Sequence, residues 1–126
     1  MDKQIIPTAT APAPIGPYSQ AVMAGGTLYI SGQVAIDPAT SLVIKGDIEA
    51  EARQVMQNIG AILRAYHLDY SHIVKTTIFL KNMDDFTRIN AVYGSFFEKD
   101  FPARETVEVS RLPKDVQVEI SCVAVK

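Results

Sequence analysis

The chain has 126 residues, enough for one domain with a single two-layer core and too few for two. Hydrophobic residues make up 48% and charged residues 21%, which is typical of a folded globular protein and excludes a disordered one. The net charge of −2 disfavours a nucleic-acid partner, because such proteins carry a basic surface. We therefore expect one domain, residues 1–126, with one site.

The cellular compartment is predicted from the single cysteine and from the N-terminal sequence. Cys122 cannot form an internal disulfide and stands in an apolar run, which favours a buried structural thiol over a reactive one. The N-terminus lacks a signal-peptide pattern, and no run of about 18 apolar residues occurs. These features predict a cytoplasmic protein that does not enter a membrane.

The chain opens with an arm that proline keeps out of regular structure. Residues 7–17 contain four prolines, which excludes a helix or a central strand. Two strand-like runs follow, residues 18–24 and 28–34, separated by Gly25-Gly26-Thr27, a spacer of hairpin length. After a further turn, residues 42–44 predict a third, short strand.

Two amphipathic helices are predicted in the middle of the chain. The first begins after Asp47, a good N-cap residue, and has apolar positions at steps of three and four. These positions are Ile48, Ala52, Val55, Met56, Ile59, Leu63 and Tyr66. The β-branched run of residues 73–80 predicts a strand, and residues 82–85 cap a second helix that ends before Pro102. Its apolar stripe is Phe86, Ile89, Val92, Tyr93, Phe96 and Phe97.

The last quarter of the chain predicts a strand near residues 106–110, a turn at residues 112–115 and a long strand over residues 116–125. Helices placed between strands imply an α/β (α+β) fold with both helices on one face of a sheet. By alternation, one side of the last strand faces the helices: Val116, Val118, Ile120, Cys122 and Ala124. The second face then holds Gln117, Glu119, Ser121, Val123 and Val125, with Tyr29, Ser31, Gln33, Lys75, Thr77 and Phe79.

This second face is too apolar for water and too polar for a core. A surface of that kind is typical of a subunit interface or a ligand groove. The alternative is a hydrated sheet face with scattered apolar residues, since single exposed apolar side chains are common. We expect neighbouring copies of the same chain to cover it.

Two charged residues are the principal candidates for chemistry. Arg104 follows Phe101-Pro102-Ala103 at the entry to a strand, and a fixed guanidinium offers paired donors to a planar carboxylate. The alternative is a surface arginine paired with a neighbouring glutamate. Glu119 lies in mid-strand among apolar residues, where a carboxylate needs a partner or a use. It could activate water, or it could be held in an ion pair with Arg104, Lys75 or Lys114.

Weaker candidates are Tyr18, Ser31 and Asn90. Tyr18 follows a stiff turn and could wall a pocket, Ser31 could supply a hydroxyl beside Gly32, and Asn90 could hydrogen-bond a loop. Each alone favours a structural role. His67 and His72 have no second cluster of ligand residues beside them, so we expect no metal site, and no motif for a cofactor is present.

Six segments stand out in order along the chain: Ala13-Pro14-Ile15-Gly16-Pro17-Tyr18-Ser19-Gln20, Ser31-Gly32-Gln33, residues 74–79, Asn90-Ala91-Val92-Tyr93, Pro102-Ala103-Arg104 and residues 107–115 continuing through Val118-Glu119-Ile120. They resemble motifs of the RidA/YjgF family of reactive-intermediate deaminases. The resemblance is collinear over nearly the whole chain. Each motif alone has low specificity, whereas their order and spacing together are specific.

The resemblance implies a chorismate-mutase-like fold assembled as a homotrimer, with the sheets lining a central barrel and sites between adjacent subunits. It implies hydrolysis of enamine and imine acids, such as 2-aminoacrylate, to the 2-oxo acid and ammonia without a cofactor. By the same resemblance, Arg104 grips the substrate carboxylate, Glu119 positions the attacking water and backbone groups near Thr106 orient the imine nitrogen. Tyr18 from the adjoining subunit and Ser31 close the pocket.

The sequence departs from the family where many members have Ser-Cys after the arginine. Here Glu105-Thr106 stands there, so a thiol contribution is absent and Glu105 is a potential competitor for the Arg104 guanidinium. Two other functions remain open: an endoribonuclease or translation inhibitor, a label that some members carry, and a non-catalytic sensor of small carboxylates. The net charge of −2 and the position of both histidines near a helix end disfavour the endoribonuclease. The sensor would use the same Arg104 pocket, so the sequence alone does not separate it from a deaminase.

Overall fold

The computed structural model describes residues 2–126, which form a five-stranded sheet with two α-helices packed on one face. The strands are β1 (Ala21–Ala24), β2 (Thr27–Gln33), β3 (Ile73–Leu80), β4 (Ala103–Glu108) and β5 (Val118–Val125), and the helices are α1 (Ile48–Ala65) and α2 (Phe86–Gly94). The strand order is β1-β2-β5-β3-β4. Strands β3 and β4 pair in parallel, and the other neighbouring strands pair antiparallel. Strand β4 is an edge strand because it pairs with β3 alone.

Helix α1 forms where the sequence predicts it. The Asp47 side chain accepts a hydrogen bond from the Glu49 amide at 3.1 Å, which caps the first turn. Every residue of the predicted apolar stripe is buried, and the stripe packs on the helix-facing side of β5. Both predictions for this helix are confirmed, as is the strand over residues 73–80.

Helix α2 is shorter than predicted. The Asn82 side chain caps a 3₁₀ turn, Met83–Asp85, and the α-helix proper begins only at Phe86. At the other end the Ser95 hydroxyl donates to the Val92 carbonyl at 2.6 Å, just past the helix C-terminus. Phe96 and Phe97 of the predicted stripe therefore lie beyond the helix, where both rings pack near Tyr70.

Several strand boundaries differ from the prediction. Strand β1 begins at Ala21 rather than residue 18, and residues 42–44 contribute a single bridge between Ile36 and Val43. Strand β4 begins at Ala103 because its parallel pairing with β3 starts there. Two residues with positive φ, Gly25 and Gly26, make the β1–β2 turn, a geometry that glycine adopts without strain.

A bulge in β2 overturns the predicted face of Gln33. Ile30 lies opposite Cys122 and Gln33 opposite Ile120, so two residues of β2, Ser31 and Gly32, stand where β5 has one. Gln33 therefore shares the helix-facing side with Ile120 and is only 6% exposed. The prediction for Gln33 is wrong because alternation fails across a bulge.

The prediction for Gln117 is also wrong. This residue precedes β5, and its side chain donates to the buried carboxylate of Glu51 on α1 at 2.9 Å, away from the second face. The other residues assigned to the second face are exposed or half-buried, including Glu119, Ser121 and Val123.

No helix within residues 2–126 is both long and apolar enough to cross a membrane.

Candidate functional site

A cavity of about 430 Å³ lies beside Glu119, between the proline-rich arm and the β2 bulge. Tyr18 and Ser31 line the same cavity. The Ser31 hydroxyl donates to the Ser19 carbonyl at 2.6 Å, and the Ser31 amide donates to the Gln20 carbonyl at 3.0 Å. These bonds fix the end of the arm against β2, so that three of the predicted site residues converge in one place.

The side chain of Gln20 holds the arm itself. Its amide nitrogen donates to the carbonyls of Thr8, Ala11 and Pro12, while its oxygen accepts from the Thr8 amide at 3.0 Å. An extended arm has no regular hydrogen bonds, so a buried glutamine satisfies the groups that the prolines leave unpaired. Sequence reasoning missed this role.

Glu119 is half-buried and forms no ion pair with any residue from 2 to 126. The ion pairs with Arg104, Lys75 or Lys114 that the sequence left open are not formed. Burial raises the pKa of the Glu119 carboxyl. A carboxylate with a raised pKa and free oxygens in a cavity is suited to accept a proton from water.

The absence of a side chain at Gly32 leaves the space that the Glu119 side chain occupies. A Cβ atom at Gly32 would lie 2.6 Å from Glu119 Oε2 and 2.8 Å from Glu119 Cδ, closer than real Cβ contacts allow. The carboxylate thus lies directly over the glycine of the β2 bulge. Glycine is needed at this position of the bulge because the Glu119 side chain approaches it closely.

Arg104 lies in a second cavity, of about 310 Å³, beside α2. Its Nη1 donates to Asn90 Oδ1 at 2.7 Å, and its Cζ lies 5.5 Å from the ring centre of Phe86 and 5.3 Å from that of Tyr93. Cation–π contacts with two rings and a hydrogen bond to one amide oxygen together orient the guanidinium. Phe86, Asn90 and Tyr93 recur at helical spacing, the signal by which sequence reasoning could have found this holder.

Glu105 does not compete for the guanidinium. It pairs with Lys75 at 2.6 Å and lies opposite Thr77 on the second face, whereas Arg104 lies opposite Thr76 on the helix-facing side. The hydrogen bond from Lys75 lowers the pKa of the Glu105 carboxyl. Glu108 also forms no ion pair with Arg104 within residues 2–126, and its side chain accepts from the Met83 amide at 2.8 Å.

The Thr106 hydroxyl is not exposed. Its Oγ1 is buried without a hydrogen-bond partner in the described chain, and its side chain shares the helix-facing side of β4 with Arg104. What Thr106 can offer a ligand is therefore its backbone at the edge of the sheet, since β4 pairs only with β3.

A single chain does not bring Arg104 and Glu119 together. Glu119 lies opposite Phe79 on the second face, while the Arg104 side chain lies on the helix-facing side beside α2. The predicted site residues therefore divide into two groups, which we call the acidic half-site (Tyr18, Ser31, Glu119) and the basic half-site (Asn90, Arg104). Each has its own cavity.

Two other reactive residue types have structural roles. Burial raises the pKa of the Cys122 thiol to about 12, so the thiol is a packed core group, as the sequence predicted. His72 Nδ1 accepts from the Asp69 amide at 3.1 Å in a capping box. Within residues 2–126 no group of three or more histidine, cysteine or acidic side chains is placed to hold a metal.

Comparison with known proteins identifies relatives over the whole chain. A family model described as Endoribonuclease L-PSP matches residues 8–126. A RutC family protein of Synechocystis is 53% identical, with 99% of this chain and 98% of that protein covered. A 2-iminobutanoate/2-iminopropanoate deaminase of Bos taurus is 47% identical over 98% of this chain and 90% of its own length. The solved structure of the YjgF gene product of E. coli superposes with a TM-score of 0.93 at 47% identity, covering 98% of each chain.

Proposed function

Because this chain belongs to the RidA/YjgF family, also described as endoribonuclease L-PSP, we propose that it hydrolyses reactive 2-enamine and 2-imino acids to 2-oxo acids and ammonia. The proposal draws on the 47% identity to a deaminase of that specificity. The observation that carries it is the Glu119 carboxylate, which lies half-buried in a cavity without a charged partner in residues 2–126.

In the proposed reaction, the Arg104 guanidinium binds the substrate carboxylate. Asn90 occupies Nη1, which leaves further N–H donors for a planar anion. Glu119 accepts a proton from water as the water oxygen bonds to the imine carbon. That proton then passes to the substrate nitrogen and gives a carbinolamine. The carbinolamine hydroxyl gives up its proton through Glu119 to the nitrogen as the C–N bond breaks, which releases ammonia and the 2-oxo acid. An enamine first takes up a proton at carbon and loses one from nitrogen to become the imine.

We propose that the two half-sites join between copies of the chain in a homotrimer. Exposed apolar side chains flank both of them: Ile15 is 74% and Tyr18 51% exposed at the acidic half-site, and Phe101 is 64% exposed beside the basic half-site. A head-to-tail interface joins two unlike patches and closes into a ring. Tyr18, Ser31 and Glu119 would come from one subunit, and Arg104 with the Thr106 backbone from the next.

The second face supports the same assembly. Tyr29, Val107 and Val125 are exposed there, and the charges of Lys75 and Glu105 neutralise each other. In the proposed trimer these faces line a central barrel and are no longer exposed to solvent. A paired rather than free lysine makes such burial less costly.

The test is ammonia release from enzymatically generated 2-iminobutyrate by the purified protein. We expect Arg104→Ala and Glu119→Ala each to lower kcat/KM by about a hundredfold or more. Glu98→Ala, at an exposed carboxylate outside both half-sites, is the matched control and should retain full activity. No acceleration by the wild-type protein, or full activity in Arg104→Ala, would contradict the proposal.

The family description also favours a second candidate, an endoribonuclease. Cleavage of RNA needs cationic contacts to phosphates, and the chain has a net charge of −2. RNA cleavage that persists in both Arg104→Ala and Glu119→Ala after rigorous purification would favour it. A non-catalytic sensor would instead bind 2-oxo acids saturably and release no ammonia.

A further inference from the structure

The loop before β5 has an unusual backbone. Lys114 and Asp115 have φ values of 56° and 54°, in the left-handed region that residues with a side chain rarely adopt. The loop is held in this form by the Arg111 guanidinium, which donates to Asp115 Oδ1 at 2.9 Å, and by the Asp115 amide, which donates to the Leu112 carbonyl at 3.1 Å. Such strain persists only where surrounding contacts enforce it, and it is frequent at ligand sites.

This loop places Lys114 at the cavity of the acidic half-site. Pro113 and Lys114 line that cavity together with Glu119. The Lys114 ammonium forms no hydrogen bond or ion pair within residues 2–126, and burial rather than a nearby cation governs the pKa of Glu119. The cation and the carboxylate therefore share one cavity with a gap between them.

The surroundings of this loop are cationic. Lys45 and Lys81 lie close enough to Asp115 to help lower the pKa of its carboxyl, after the larger effect of Arg111. The other acid nearby, Glu51, is buried and already accepts two hydrogen bonds from Gln117. Among the described residues that line the cavity of the acidic half-site, Lys114 is the one cation, so an anion entering beside it would be attracted to the Lys114 ammonium.

In a single chain, before an adjacent subunit contributes Arg104, the cavity is larger than a three-carbon imine needs. Its volume of about 430 Å³ falls within the range of about 300–1,000 Å³ that encloses much larger ligands. Apolar side chains form much of its wall: Pro12, Ala13, Ile15, Val34, Ile36 and Pro113. A substrate reacting at Glu119 has room for a chain that extends toward Lys114.

We propose that Lys114 determines specificity by binding a second, distal carboxylate, so that the site accepts 2-imino dicarboxylates. The inference rests on the proposed deaminase function. Arg104 of the adjacent subunit binds the carboxylate next to the imine carbon, since its fork matches a fixed planar anion. The Lys114 ammonium, a point charge on a flexible stem, binds the carboxylate at the end of the substrate side chain.

The experiment compares the imines that an amino-acid oxidase generates from aspartate and glutamate with 2-iminobutyrate. For Lys114→Gln we expect KM for the dicarboxylic imines to rise about tenfold, the loss of one charge-assisted contact, and KM for 2-iminobutyrate to stay within about twofold. Lys114→Arg should retain most of the dicarboxylate preference. Lys99→Gln, an exposed lysine outside this cavity, should change neither KM.

An equal change for both substrate classes in Lys114→Gln, or no change for either, would overturn the inference while leaving deamination intact. If the protein hydrolyses no imine at all, the proposed function fails instead. In that case calorimetry with 2-oxoglutarate and 2-oxobutyrate decides the role of Lys114. Tighter binding of 2-oxoglutarate that Lys114→Gln abolishes supports the inference, and equal binding of both acids contradicts it.

Discussion

Arg104 donates from Nη1 to the side-chain oxygen of Asn90 at 2.7 Å, a bond between a cation and a neutral acceptor. In the proposed reaction the choice of acceptor matters, because a carboxylate in the same place would neutralise the guanidinium that we propose binds the substrate carboxylate. Asn90 orients Arg104 and leaves its charge available. Asn90 is thus a positioning residue that acts through Arg104.

Asn90→Ala should therefore raise KM for 2-iminobutyrate about tenfold with a smaller change in kcat, because it removes one hydrogen bond to a charged group. Asn90→Asp should raise KM as well, since it supplies a competing anion. The control is Thr87→Ala, an exposed position on the same helix. An unchanged KM in both Asn90 variants would show that the aromatic rings alone hold Arg104.

Gly32→Ala should impair catalysis more than folding. The added Cβ would lie 2.6 Å from Glu119 Oε2, and the carboxylate can swing away at little cost because it ends a flexible side chain. We expect kcat to fall about tenfold or more, with a small shift in the thermal unfolding midpoint. Circular dichroism melts beside steady-state kinetics separate the two effects. A large loss of thermal stability with normal kcat would contradict this reading of Gly32.

The pH dependence of the reaction should report Glu119. Burial raises the pKa of its carboxyl above the ordinary value of 4.5, so kcat/KM should fall on the acid side with a midpoint above 4.5. Glu119→Asp should keep an acid limb at a lower rate, and Glu119→Gln should lose activity at every pH. An acid limb at or below the ordinary value in the wild-type protein would argue against a desolvated base.

The same shift links Glu119 to stability. Between the ordinary and the raised pKa, the folded chain holds a proton that the unfolded chain has released, so stability falls as the pH rises through this window. Glu119→Gln lacks this titration. Its unfolding midpoint relative to the wild type should therefore be higher at pH 7 than at pH 4. A constant difference across that range would mean that the carboxyl is not desolvated.

Complementation tests whether the half-sites join between subunits. Arg104→Ala and Glu119→Ala are each inactive in our proposal, but a site formed by an intact Arg104 from one variant and an intact Glu119 from the other is complete. Random assembly of equal amounts into trimers makes about a quarter of the interfaces complete, so refolded mixtures should regain about a quarter of the wild-type activity. Mixtures that stay inactive would place both residues in one subunit's site.

Cys122 should be unreactive in the folded protein. Its thiol is buried and burial raises its pKa to about 12, so almost no thiolate exists at pH 8. We expect iodoacetamide to leave the native protein unlabelled and fully active, and to label it after denaturation in guanidinium chloride. Mass spectrometry gives the extent of labelling. Rapid modification of the native protein with loss of activity would implicate the thiol in function.

Periodicity was sufficient for the parts of the fold where one face of an element is buried. Helix α1 and strand β3 lie where the sequence predicts them, and all seven stripe residues of α1 are buried. The errors at Gln33 and Gln117 come from a bulge and from a residue just outside a strand. Alternation carries no information at either place, because the pairing of the partner strand decides where the ladder slips.

The sequence by itself singled out the two side chains that we propose carry the chemistry: Arg104 and Glu119 stand out because a guanidinium beside a proline and a carboxylate in an apolar strand both need a reason. Only the tertiary structure decided how they are arranged. Strand pairing places them on opposite faces of one sheet and sets Glu105 beside Lys75. The packing of α2 brings Asn90 to Arg104, and the loop before β5 brings Lys114 to the cavity of Glu119. These are contacts between residues distant along the chain, fixed by register, which local sequence patterns do not encode.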